Sequence, residues 1–374
     1  LALCTDNLSA PEIALPGEYF NTVLYTGTGA VTKNVTGVGF QPDFCWLKTR
    51  VYVASHALFD SVRGTNEVIN SNTTAAEGSD SGAGFSAFDS DGFTVIEQVS
   101  AAGTINSSTG MVSWNWKCGG APTADNSAGA GAVPTAGSVK IDGSNLGSAL
   151  AGSIAATRLS ANTTAGMSVV SYTGIYSNAT VAHGLSVAPE FIFIKNRSSV
   201  LEWKVYNATI GNTKVLYLNA TDSAQTGATS WNDTTPSASV FTIGANTGVN
   251  EDTSLFVAYC FHSVEGYSKV GSYTGNGNAD GPFAYTGFSP AWIMFKPDGT
   301  ADWTVCDNKR NTYNAVADKT LNPNLNSAEH DGSMDFDFLS NGFKIRNANQ
   351  DNNNASAILY LAFAESPFKT SNAR

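Results

Sequence analysis

The triplet Tyr-Thr-Gly occurs three times, beginning at Tyr25, Tyr172 and Tyr273, and each copy starts the same ruler. A proline stands 17 residues after each tyrosine (Pro42, Pro189, Pro290), and a lysine 6 residues after each proline (Lys48, Lys195, Lys296). Between proline and lysine lies an apolar run: Phe44-Cys45-Trp46-Leu47, Phe191-Ile192-Phe193-Ile194 or Trp292-Ile293-Met294-Phe295. A phenylalanine in a second apolar run (Phe93, Phe241, Phe343) follows the proline by 51, 52 and 53 residues. Each copy closes on an aromatic segment: Val112–Trp116, Val257–Phe261 or Leu361–Phe363. Chance does not reproduce such spacing three times. The chain is a tandem of three units, each of about 100 residues.

Within each copy, short alternating or wholly apolar runs are broken by Gly, Asn, Asp and Pro, and helical periodicity is never sustained. That pattern predicts an all-β fold of three tandem sandwiches, lectin-like or jelly-roll-like. The expected boundaries are 20–119, 167–265 and 266–374, with a connector over 1–19. Tyr25, Tyr172 and Tyr273 are expected to be framework residues on a strand next to the apolar one. Pro42, Pro189 and Pro290 are expected to open that apolar strand, where a missing N–H costs no ladder bond. The strand before each lysine is apolar on both faces, so both faces need a cover. The partner sheet supplies one. A long loop, an adjacent repeat or another subunit must supply the second.

The first two tyrosines are 147 residues apart and the last two only 101. The excess lies in 120–166, where runs such as Asn126-Ser127-Ala128-Gly129-Ala130-Gly131-Ala132 offer too little apolar mass to fold alone. Because this arm also carries Val139, Ile141 and Ile154, it is expected to dock on a neighbouring domain or chain. An uncovered strand face and a small-residue arm together lead us to expect a homotrimer.

Only 14% of residues are charged and the net charge is −11, which argues against nucleic-acid binding by counterion release. Polarity comes instead from 36 Gly, 34 Asn and many Ser and Thr, residues that favour turns over helix interiors. No apolar run is long enough to span a bilayer as a helix. The chain opens on Leu1, so a longer parent chain is expected. The five cysteines (Cys4, Cys45, Cys118, Cys260, Cys306) are odd in number, widely spaced and without a CxxC pair, which favours buried free thiols over a disulfide framework.

Reaction chemistry is hard to find. The four histidines lack metal-ligand spacing, and no GxSxG elbow or phosphate cradle is present. Glu190, Glu202, Asp302 and Glu365 form no recurring acid–base pair, so neither catalysis nor a cofactor is expected. Asp89 and Asp91, and Asp335 and Asp337, place oxygen donors at alternate positions, as Ca²⁺ loops do, but the ligand set is incomplete. Turn formation explains them more simply, as Asn341-Gly342-Phe343 shows without a carboxylate. Eleven Asn-x-Ser/Thr sequons are little more than this composition produces. Trp203, Trp231 and Trp303 could stack on sugars. Trp203 and Trp303, however, stand 14 and 13 residues after their prolines, which suits packing better.

The stretches Tyr19–Gly64, Tyr172–Leu218 and Val264–Gly277, together with Asp337–Lys344 and Leu361–Lys369, resemble an uncharacterised repeated domain. It occurs in virion proteins of marine bacteriophages, often in tail-fibre-like chains. The resemblance implies a virion appendage assembled in the host cytoplasm. The expectation drawn from it is a tail fibre or other virion fibre with a host-surface attachment or spacer role, its partners other virion proteins and a host-surface glycan or protein. It brings no catalytic residues. Two other readings stay open: a secreted array of carbohydrate-binding or adhesin modules, and a subunit of an extracellular filament.

Overall fold

A computed structural model describes residues 8, 10–29, 31–79, 84–96, 105–311, 317–332 and 334–370. Cys4 lies outside them.

The first repeat comprises β1 (Phe20–Thr26), β2 (Lys33–Thr36), β3 (Phe44–Thr49), β4 (Ala57–Asp60), β5 (Gly64–Ile69), β6 (Gly78–Ser79), β7 (Phe85–Asp89), β8 (Gly92–Val95) and β9 (Gly110–Trp116). The arm forms β10 (Val139–Ile141), β11 (Ser144–Asn145) and β12 (Ala156–Asn162). The second repeat follows with β13 (Met167–Thr173), β14 (Ala179–Ala182), β15 (Phe191–Asn196), β16 (Lys204–Asn207), β17 (Lys214–Tyr217) and β18 (Gln225–Thr226). It ends with α1 (Ala228–Trp231), β19 (Val240–Ile243), α2 (Thr247–Asn250) and β20 (Leu255–Phe261). The third has β21 (Ser268–Thr274), β22 (Phe283–Tyr285), β23 (Phe288–Pro297), β24 (Thr304–Asp307), β25 (Phe336–Leu339), β26 (Gly342–Ile345), α3 (Gln350–Asn353) and β27 (Ala357–Pro367).

Each repeat is a sandwich of unequal sheets. The large sheets run β1-β9-β3-β4-β5-β6, β13-β20-β15-β16-β17-β18 and β21-β27-β23-β24; the small ones are β2-β8-β7, β14-β19 and β22-β26-β25. The tandem all-β reading therefore holds. The arm over 120–166 adds β11-β10-β12 to the free edge of β13, making one nine-stranded sheet. Docking is close enough that a Cβ on Gly119 would fall 2.4 Å from the Ala161 carbonyl oxygen. Pro42 and Pro189 lie two residues before β3 and β15, whereas Pro290 lies inside β23 rather than opening it. There β27 runs on to Pro367 and pairs with Phe288 and Ser289, and the register shifts on both sides of Pro290 absorb its missing N–H.

The three apolar strands β3, β15 and β23 are buried along their whole length. Alternate side chains divide between two cores. Cys45 and Leu47, Ile192 and Ile194, and Ile293 and Phe295 each pack against their own small sheet. Phe44 and Trp46, Phe191 and Phe193, and Trp292 and Met294 enter a single core shared by all three repeats. Six of the seven tryptophans are in that shared core. The second cover is thus the other two repeats of the same chain. The expectation of a homotrimer rested on an uncovered face, and β3, β15 and β23 have both faces covered within one chain.

The Tyr-Thr-Gly triplet is a clamp. The Tyr25, Tyr172 and Tyr273 hydroxyls donate to the carbonyls of Ile105, Val249 and Asn352 at 2.6, 2.7 and 2.5 Å. The next residue of each acceptor loop is an asparagine whose Oδ1 accepts from the backbone N–H of Thr28, Ile175 or Asn276, at 2.9, 2.8 and 2.8 Å. Glycine is required because a Cβ at Gly27, Gly174 or Gly275 would lie 2.2, 2.2 or 1.8 Å from a loop carbonyl oxygen. Removing the hydroxyl alone, as in Tyr172→Phe, should cost ~1–2 kcal/mol by stranding a buried carbonyl. Tyr172→Ala should cost about 3 kcal/mol through the added cavity. Urea melts that rank the two variants in the opposite order would contradict the clamp.

Candidate functional site: the three repeat interfaces

In each repeat a loop, the one after β5, β17 or β24, straps over the next repeat. The first repeat's strap lies on the second, the second's on the third, and the third's on the first, closing a ring. One bond recurs in all three places: Glu77, Ala224 and Glu329 each donate a backbone N–H to the carbonyl of Arg197, Asp298 and Arg50, at 2.9, 3.2 and 2.9 Å. A ring donor recurs as well. Trp203 Nε1 donates to Asn70 O at 3.0 Å, and Trp303 Nε1 to Tyr217 O at 2.8 Å. At the corresponding position His56 Nε2 meets Asn322 O at 3.0 Å. The Trp46 indole donates to His56 Nδ1 at 2.8 Å, so Nε2 carries the proton and donates to the strap. Trp203 and Trp303 are therefore packing residues, at 0% and 1% exposure, and Trp231 is buried at 2%.

Beneath the straps lie the repeated lysines. Lys48, Lys195 and Lys296 are at most 1% exposed, and burial pushes each ammonium down to about 8. Their partners are carbonyl oxygens, including Thr74 O from the neighbouring repeat for Lys195 and Thr221 O for Lys296. The unfolded chain binds more protons between pH 8 and 10.5, so each lysine makes stability rise across that window. Wild type should gain on Lys195→Met by roughly 1 kcal/mol per pH unit there. Guanidinium melts at pH 8, 9 and 10 check this; a constant difference would contradict it.

Two interfaces bury ion pairs. Arg63 Nε donates to Asp60 Oδ2 at 2.5 Å, and Arg310 Nε to Asp307 Oδ2 at 2.6 Å, all four side chains being fully buried. Glu77 and Glu329 complete the triads at 2.9 and 3.2 Å. A donor from the next repeat joins each aspartate: Tyr259 Oη at 2.7 Å and Trp114 Nε1 at 3.0 Å. At the third interface the same positions hold Asn207, Ile210, Ala224 and Leu361. A buried pair is costly to break and cheap to replace whole. Arg310→Ile should cost about 3 kcal/mol, whereas Asp307→Asn with Arg310→Ile should recover more than half of it. A double variant as unstable as the single one, by thermal melt, would overturn that equivalence.

The acidic loops serve turns. Asp91 accepts from Gly37 N and Gly39 N at 3.1 and 2.7 Å, and Asp89 from Thr94 Oγ1 at 2.6 Å. Asp337 pairs with Arg346 at 2.5 Å, and Asp335 accepts from Arg346 N through its carbonyl. Among the described residues no group of three His, Cys, Asp or Glu is placed to hold a metal. Glu190 accepts from Ser263 N at 2.7 Å and Asp302 from Asn324 Nδ2 at 2.6 Å. Cys45, Cys118, Cys260 and Cys306 are free and buried.

Apolar side chains are exposed at both ends of the ring, Leu15 (62%) and Val187 (49%) among them where β1 and β15 begin; the other end is built of loops. There β3 and β15 finish and β9 and β20 begin, as the pairs Thr49–Met111 and Asn196–Phe256 show. That end exposes Val53 (67%), Val200 (69%), Leu255 (42%) and Tyr176 (52%). Segments Pro16–Tyr19 and Pro367–Thr370, joined to the starts of β1 and the end of β27, lie at the opposite end. The strap contacts and the Tyr–Asn clamp were not foreseen from sequence, although Asn106, Asn250 and Asn353 follow the triplet tyrosines by 81, 78 and 80 residues.

No curated protein and no solved structure matches the chain. A family model described as a domain of unknown function (DUF7483) matches residues 15–143 and again 140–367. Because those two matches span nearly the whole ring, including all three clamps, the chain belongs to the DUF7483 family.

Proposed function

We propose that this chain is a bacteriophage virion structural protein, a tail fibre or other virion fibre, with a host-attachment role at its loop end. The observation that supports this most is the set of exposed apolar side chains on the loops at one end of the ring. The flanking segments lie at one end, and exposed Val53, Val200, Leu255 and Tyr176 lie at the other. Such an arrangement leaves the loop end free to form a tip that meets another surface. Exposed apolar side chains rimmed by Ser, Thr and Asn suit contact with a surface protein or glycan. With the strand faces covered inside one chain, a single copy suffices to form the tip.

Antibody raised against the purified chain should label virion appendages in electron micrographs, and virions lacking the label would overturn the proposal. The triple variant Val53→Asp, Val200→Asp, Leu255→Asp should bind host cells about tenfold more weakly while melting like wild type. Undiminished binding would move attachment away from the loop end.

A further inference from the structure

The first strand of each large sheet has an outer edge, and the three edges are treated differently. In β1, Lys117 N–H donates to Tyr19 O, which fixes the phase of the ladder. Asn21, Val23 and Tyr25 face β9, while the N–H and C=O groups of Phe20, Thr22, Leu24 and Thr26 face away. On β13 the equivalent edge is filled by β12: Asn162, Ser160 and Arg158 stand opposite Met167, Val169 and Ser171. On β21 it is filled by the inter-repeat linker. Val264 exchanges both backbone bonds with Ser268, and Ser263 Oγ accepts from Val270 N at 3.0 Å. On β1 the outward groups have no partner among the described residues.

A cavity of about 210 Å³ lies beside that open edge, lined by Phe20 and Thr22 of the first repeat and Asn308 of the third. Thr22 is 5% exposed and its hydroxyl is unbonded, as are both side-chain polar atoms of Asn308. Three unsatisfied polar atoms at one interface ask for a partner. The edge itself, Phe20-Asn21-Thr22-Val23-Leu24-Tyr25-Thr26, holds none of the charges or prolines that usually block pairing.

We propose that the β1 edge is a strand-acceptor site for an extended segment of another polypeptide chain, running antiparallel to β1. The two in-chain occupants define its chemistry. Each places a serine beside the position equivalent to Thr22, namely Ser160 and Ser263. The incoming segment is therefore rich in small and hydroxyl side chains and puts a serine against the Thr22–Asn308 cavity. Backbone bonds supply the affinity and the cavity supplies the register.

A fluorescent nonapeptide copying residues 155–163 is the probe, read by anisotropy against the full chain. Saturable binding is expected, weakened about tenfold or more by Leu24→Pro, which removes an outward N–H and no ladder bond. Thermal melts establish that this variant is folded. Should it fail to fold, the same peptide N-methylated at its serine, tested on the wild-type chain, gives the equivalent readout. Absence of saturable binding, or binding indifferent to both changes, overturns the site. A concentration-dependent dimer in sedimentation, lost in Leu24→Pro with no peptide bound, overturns it in favour of a second copy of this chain.

Discussion

A strand that is apolar on both faces is the constraint from which this architecture follows. A sandwich can cover only one face of β3, β15 or β23 with its own small sheet. The other must be removed from water by something else, because each exposed large side chain would cost roughly 1.5–3 kcal/mol. Three such strands in one chain cover one another. Their second faces meet in a core containing Trp46, Trp114, Trp116, Trp203, Trp292 and Trp303. The straps, the buried lysines and the ring closure all sit around that shared core.

The three interfaces share a backbone geometry and differ in chemistry. Two are tied by an arginine between an aspartate and a glutamate, and the third substitutes Asn207, Ile210 and Ala224. The backbone bond from strap to strand is present in all three. The main-chain strap and the aromatic core therefore define the ring, while the charged triads are elaborations of it. Chain connectivity produces a second asymmetry. The arm and the linker cover two of the three first-strand edges, and the interface where no connection passes is left open.

Much of this was legible in the sequence because the repeat was exact in its spacing. The tyrosine, proline and lysine positions fixed the number of repeats, and the doubly apolar strand announced that a second cover was needed. The identity of that cover was not legible, since periodicity shows that a face is apolar without showing what meets it. The argument for a homotrimer lost its premise at that step, because the cover came from the same chain. Asn106, Asn250 and Asn353 were missed because 34 asparagines hide three that matter. The role of His56 was hidden too: it stands where the other repeats have tryptophan, and only the bond to Asn322 O shows that an imidazole and an indole do the same work. Pro290 departed from its siblings because β27 is four residues longer than β9 and β20, 11 against 7, a difference in partner strand rather than at the proline.

A shared core makes one clear demand: the repeats must unfold together. Differential scanning calorimetry of the full chain tests it. One transition is expected, its calorimetric and van't Hoff enthalpies in agreement, as for a single cooperative unit despite three sandwich folds. Three resolved transitions, each with the enthalpy of about 100 residues, would show that the repeats are beads on a string and that the central core does not bind them.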